Sequence, residues 1–101
     1  MSNPVLDFPW EKEWVNGTGT AVDHSCHLHS IVLNGVTTAG GTISVYDALD
    51  ATDATLRIAV YDILGASVSY QGITFLYDCK IETGIHIVFA TVVGNLTVMY
   101  K

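Results

Sequence analysis

The sequence predicts an all-β fold: an antiparallel β-sandwich of jelly-roll-like type, a single domain with an extended N-terminal arm. Three observations lead there. The chain has 101 residues, the length of one domain. Short runs that alternate apolar and polar residues recur along it, separated by Gly-, Asn- and Asp-containing breaks. No helical periodicity of useful length occurs outside the N-terminal segment.

Residues 1–19 read as the arm. They hold both prolines, both tryptophans and the charged cluster Glu11-Lys12-Glu13, and Asn16-Gly17-Thr18-Gly19 then supplies a hinge. Trp10 and Trp14 are four apart, so one helical turn would put both on one side. Phe8, Trp10 and Trp14 are the candidate partner-docking residues, because large aromatics anchor interfaces. The competing reading folds this segment back, with the tryptophans capping the sandwich.

Residues 20–101 read as the β-sandwich domain. A long first strand covers residues 21–34, with Leu28, Ser30 and Val32 on one side and His27, His29, Ile31 and Leu33 on the other. Asn34-Gly35 and Ala39-Gly40-Gly41 are turn signals. Strands follow at residues 42–47 and 56–62, joined by an acidic loop, ALDATDAT. A short strand is expected at 67–71. Runs at 73–80 and 85–91 are expected to form a hairpin across Glu82-Thr83-Gly84, and residues 96–100 close the chain. Val-Tyr-Asp occurs at 45–47 and again at 60–62, as suits adjacent strands ending in similar turns.

Composition narrows the function. Half the residues are hydrophobic and 14% are charged, against about 25% charged in an ordinary soluble domain. A chain this short has too much surface to hide so many apolar groups alone. A homo-oligomer, a trimer in the first instance, is the expected way of covering them. The net charge is −6, and Lys12, Arg57, Lys80 and Lys101 lie far apart in sequence. Nucleic acid, which demands clustered cations, is not an expected partner. No apolar run is long enough to span a membrane, and no signal peptide is seen. Cys26 and Cys79 have no metal or disulfide spacing and are expected to be reduced in the cytoplasm where the chain is made, with a disulfide between them as the alternative if the mature particle lives outside the cell.

One cluster resembles a site: His24-Ser25-Cys26-His27-Leu28-His29. On a strand His27 and His29 share a face and could give two ligands to zinc or nickel. Zinc needs three or four, so His86 or symmetry copies would have to complete it. The favoured reading is that these are ordinary strand or subunit-contact histidines, with no metal and no cofactor bound. Asp47, Asp50 and Asp53 could be imagined around calcium, but the order of an EF-hand is missing. Ser30, His29 and Asp23 lack a nucleophile elbow around the serine. No catalytic residue is assigned, and the chain is not expected to be an enzyme.

The order of elements resembles small β-sandwich structural proteins of tailed-phage particles, of the capsid decoration (cement) or head-knob type. The residues that carry the likeness are Leu28-His29-Ser30-Ile31, Gly41-Thr42-Ile43-Ser44-Val45-Tyr46-Asp47, Thr83-Gly84-Ile85 and Leu96-Thr97-Val98-Met99-Tyr100-Lys101, over residues 24–101. The resemblance implies a virion structural protein, assembled in the host cytoplasm, that oligomerises and docks on the major capsid protein lattice or another virion protein. It supplies no catalytic residues. The other reading is a fibre or knob module that recognises a host surface glycan or another tail or neck component.

Overall fold

The computed structural model describes residues 10–38, 40–63 and 73–101, without the side chains of residues 37 and 38. The strand expected at 67–71 and the docking candidate Phe8 lie outside the described residues. Among the described residues there are eight strands: β1 Glu11–Val15, β2 Gly19–Val22, β3 Cys26–Thr38, β4 Gly41–Asp47, β5 Arg57–Ile63, β6 Ile73–Ile81, β7 Ile85–Ala90 and β8 Val93–Tyr100. They form two four-stranded sheets, β1-β8-β3-β6 and β2-β7-β4-β5, antiparallel throughout.

Partners within each sheet include β1 with β8, β2 with β7, β3 with β6 and β4 with β5. These pairs are nested. The chain behaves as one long hairpin, its tip at the loop 48–56, wound so that successive pairs fall alternately into the two sheets. That is the jelly-roll topology. It also corrects one expectation. β6 and β7 do not form a hairpin: β6 pairs with β3 in one sheet and β7 with β4 and β2 in the other. Residues 82–84 are therefore an arch between sheets. The true hairpin is β4–β5, whose register sets Val60-Tyr61-Asp62 against Thr42-Ile43-Ser44 and not against Val45-Tyr46-Asp47.

The core is aliphatic and drawn evenly from both sheets. Leu28, Ile31, Ile43, Val45, Ile85, Ile87, Leu96 and Val98 are all fully buried. β-Branched residues dominate because they fill a pleated inner face with little rotamer loss. Along the β5–β6 side, Tyr61 stacks on Phe75 at 4.3 Å, and the Tyr61 and Tyr77 hydroxyls bond one another. Burial pushes the Tyr61 phenol well above its usual range. No buried side-chain polar atom among the described residues lacks a partner.

Three register shifts interrupt the pairing of β3 with β8, and two of them bear on the pattern read from the sequence. Between Leu28 and Ser30 the register shifts against both β6 and β8. This is a bulge, which adds a residue and breaks strict alternation. Leu28, Ile31 and Leu33 consequently all enter the core, and the expected separation of Leu28 from Ile31 and Leu33 does not hold. Opposite, Asp78 takes a left-handed conformation, φ 53°, which Asp tolerates better than most residues. A second shift lies between Leu33 and Gly35. Asn34-Gly35 is thus an irregularity inside a 13-residue strand, not a turn.

The N-terminal reading also needs revision. Within residues 1–19, the described part is built into the fold. β1 pairs with β8 from Glu11↔Tyr100 to Val15↔Leu96, and β2 begins at Gly19. Residues 10 and 14 face the same way because a strand repeats every two residues, not because of a helical turn. The sequence concealed β1 because it is an edge strand, where only Val15 reaches the core.

Candidate functional site

The outer face of the β1-β8-β3-β6 sheet gathers most of the chemistry-bearing residues singled out from the sequence. His27 and His29 of β3 lie on the same side, and Trp10 covers both. Its ring centroid lies 4.2 Å from that of His29 and 5.7 Å from that of His27. His27 Nε2 donates to Asp78 Oδ1 at 2.6 Å, in a pair that is largely open to solvent. Exposure limits such a pair to a fraction of a kcal/mol, ~0.2–1 in comparable cases. His29 Nδ1 lies 3.0 Å from Ser30 Oγ.

Trp14 follows on the same face, paired with Thr97 of β8. Its indole N–H donates to Asn95 Oδ1 at 3.1 Å, while the residue stays 58% exposed. Asn34 Nδ2 donates to Thr97 Oγ1 at 3.0 Å. The result is an aromatic plane held against a row of neutral amides and hydroxyls. Leu76 of β6, 68% exposed, extends the apolar part of the face.

Strand register also collects cations that are scattered in sequence. Lys80 is paired with His27, and Lys101 exchanges both backbone hydrogen bonds with His27. Lys12 is paired with Met99 on the same face as Trp14. Three of the four Lys and Arg residues thus lie on one surface of an otherwise acidic chain. Sequence reasoning missed Asp78, Asn34, Asn95 and this lysine group. Only the pairing of β1, β8, β3 and β6 brings them together, and alternation does not report pairing.

The metal readings fare differently. His27 and His29 do share a face, but His86 is on the other sheet. There Thr20 Oγ1 donates to Leu49 O at 3.1 Å, so it accepts from His86 Nδ1 at 3.0 Å. Among the described residues, no group of three or more His, Cys, Asp or Glu side chains is arranged to hold a metal. The three aspartates imagined around calcium are each engaged separately. Asp47 accepts from Glu82 N at 3.0 Å and Thr83 N at 2.9 Å. Asp50 and Asp53 accept from the backbone N–H and hydroxyl of Thr52 and Thr55. Those hydrogen bonds hold both carboxyls below the usual carboxylate range.

Both cysteines are free and pack against the core from neighbouring positions on β3 and β6. Burial first, then the charge of Asp47, pushes both thiols up. Raised thiol pKa values oppose nucleophilic or redox use of these sulfurs near neutrality. No described helix is long and apolar enough to cross a membrane. No family model, curated protein or solved structure matches the chain.

Proposed function

We propose that the chain is a non-enzymatic virion structural protein of a tailed phage, which oligomerises and attaches to the capsid lattice. The observation that carries this reading is the outer face of the β1-β8-β3-β6 sheet. It presents Trp10, Trp14 and Leu76 on a rigid support, and Trp14 and Leu76 are more than half exposed. Exposed aromatics on a fixed surface suit burial against another protein, whether a neighbouring copy in the oligomer or the lattice. Fold-level analogy points the same way, since jelly rolls recur in capsid proteins, though the fold alone assigns no role. The resemblance of residues 24–101 to phage decoration proteins adds to it.

Attachment requires no chemistry, only area. A standard interface buries about 1,600 Å² in total, most of whose gross gain is offset by association and ordering. Repetition over a shell then multiplies weak contacts. The test is reconstitution. The purified chain is mixed with particles that lack it and co-sedimented, and occupancy is counted by particle reconstruction. Regular occupancy that falls when Trp10 and Trp14 are replaced by alanine supports the reading. Absence of binding to any virion component removes it.

A second reading has its own observation. Trp14 beside Asn95, Asn34 and Thr97 offers a flat ring and neutral hydrogen-bonding groups, the combination suited to a sugar ring. A glycan array with Trp14→Ala as control tests it: a signal that survives the substitution is not binding at this face.

A further inference from the structure

We infer that copies of this chain join head to tail, the lysine-bearing outer face of the β1-β8-β3-β6 sheet in one copy receiving the acidic loop 48–56 of the next. The inference rests on the oligomeric reading above and deepens it by naming the two surfaces.

The argument is complementarity of charge and apolar character within one molecule. The sheet face carries Lys12, Lys80 and Lys101 around Trp10, Trp14 and Leu76. The acidic groups facing these cations are few: Asp78, bonded to His27, and Glu82, 3.8 Å from Lys80. Glu11 and Glu13 belong to the opposite side of β1, in register with Tyr100 and Val98. The loop is the counterpart. It presents Asp50 and Asp53 together with Leu49, 49% exposed, and Leu56, 43% exposed. An aromatic and basic surface thus has a match in an aliphatic and acidic one of the same chain.

The loop is also shaped in advance. Asp50 and Asp53 each fix a turn through Oδ1 alone, with Thr52 Oγ1 at 2.7 Å and Thr55 Oγ1 at 2.6 Å. The second oxygen of each carboxylate has no partner among the described residues, so it is open to a cation. A fixed loop loses less entropy on docking than a mobile one. The loop joins β4 to β5, in the other sheet from the lysine face. A contact between unlike surfaces is heterologous, and with the right rotation it closes into a ring, as a trimer requires.

The experiment uses the full-length chain at low and moderate salt, with mass read by sedimentation velocity and folding checked by circular dichroism. The variants are K12E/K80E, D50K/D53K, and the quadruple combination. Asn at positions 50 and 53 serves as a milder pair, because its side-chain oxygen still accepts from Thr52 and Thr55. Each charge-reversed pair alone should dissociate the oligomer at least tenfold more readily, D50N/D53N should weaken it by less, and the quadruple variant should reassemble. Added salt should weaken the wild type. A wild-type monomer would overturn both this inference and the oligomeric reading. A wild-type oligomer unmoved by either reversed pair, or one lost in both and not recovered in the quadruple variant, sinks the inference alone. Loss with K12E/K80E but not with D50K/D53K or D50N/D53N also overturns it, and assigns the lysine face to a different acidic partner.

Discussion

Asp47→Asn should destabilise the domain by about 2 kcal/mol, although the residue is on neither the aromatic nor the lysine face. The reason is the arch that carries the chain from β6 to β7. A hairpin would satisfy its turn by cross-strand pairing, but an arch cannot, because its strands belong to different sheets. Here the Asp47 carboxylate takes the place of that pairing, with Oδ2 accepting from Glu82 N at 3.0 Å and Oδ1 from Thr83 N at 2.9 Å. Asparagine keeps one acceptor and turns an N–H₂ group toward the other donor. One charge-assisted bond is lost and the remaining one becomes neutral. Bonds to charged groups contribute about 1.5–3 kcal/mol and neutral ones about 1. The turn is solvent-exposed, so water recovers part of the loss and the low end applies. Alanine, which removes both acceptors, should cost about 3 kcal/mol on the same scale. For a domain of this size 2 kcal/mol lowers Tm by roughly 8–16 °C. Urea denaturation should show a lower midpoint with an unchanged slope. Glu82→Ala and Thr83→Ala are the controls, since both donors are main-chain groups and those side chains contribute nothing to the latch. If Asp47→Asn stays within about 0.5 kcal/mol of wild type, water serves the arch as well as the carboxylate and the reasoning is wrong.

Three further outcomes are expected. Asp50 and Asp53 have folded pKa values below their unfolded ones, so their stabilisation is present above the unfolded value, about 3.9, and is lost as pH falls through the folded values. The acid limb of a pH–stability curve should accordingly flatten in D50N/D53N, and an unchanged limb would show that the two turns add nothing. Cys26 and Cys79 should alkylate more slowly than a free thiol at neutral pH in the native state; Asp47→Asn should speed the reaction by removing the second cause of their raised pKa, and native rates equal to those in denaturant would contradict the burial argument. Thr91 is a β-branched residue at φ 60°, a conformation that costs L-residues about 1–2 kcal/mol. After the backbone entropy of glycine, about 0.5–1 kcal/mol, Thr91→Gly should still raise stability slightly in thermal melts; a clear loss would mean that the threonine side chain holds the turn.

The strands were legible because alternation is a local signal. Ile43, Val45, Ile85, Ile87, Leu96 and Val98 announce their faces, and all are buried. What alternation does not encode is the partner. Glu82-Thr83-Gly84 has the composition of a hairpin turn, and nothing within residues 73–91 says that the two runs enter different sheets. That follows from nesting the whole chain around the loop 48–56, which depends on contacts remote in sequence. β1 was unreadable for a different reason. An edge strand whose sides are mostly solvated has no cause to alternate, so Glu11-Lys12-Glu13-Trp14 looks like an arm.

The candidate site was half legible for the same physical reason. His27 and His29 could be placed together because a strand repeats every two residues, and they remain together even though the β3 bulge upsets the rest of that pattern. Their neighbours could not be placed. Lys12 is separated from Lys80 and Lys101 by most of the chain, and only the pairing of β1, β8, β3 and β6 brings the three to one surface. In a nested topology the first and last strands are partners, so residues near opposite ends of the chain are the ones that converge: β1 lies along β8, and Lys101 bonds to His27. The same winding puts the chain's midpoint, with its free carboxylate oxygens, at the hairpin tip in the other sheet. Cations on β1, on β6 and just after β8, and anions at the hairpin tip, are thereby held on different sheets of one small domain. In the head-to-tail contact inferred above, it is a second copy that brings the two surfaces together.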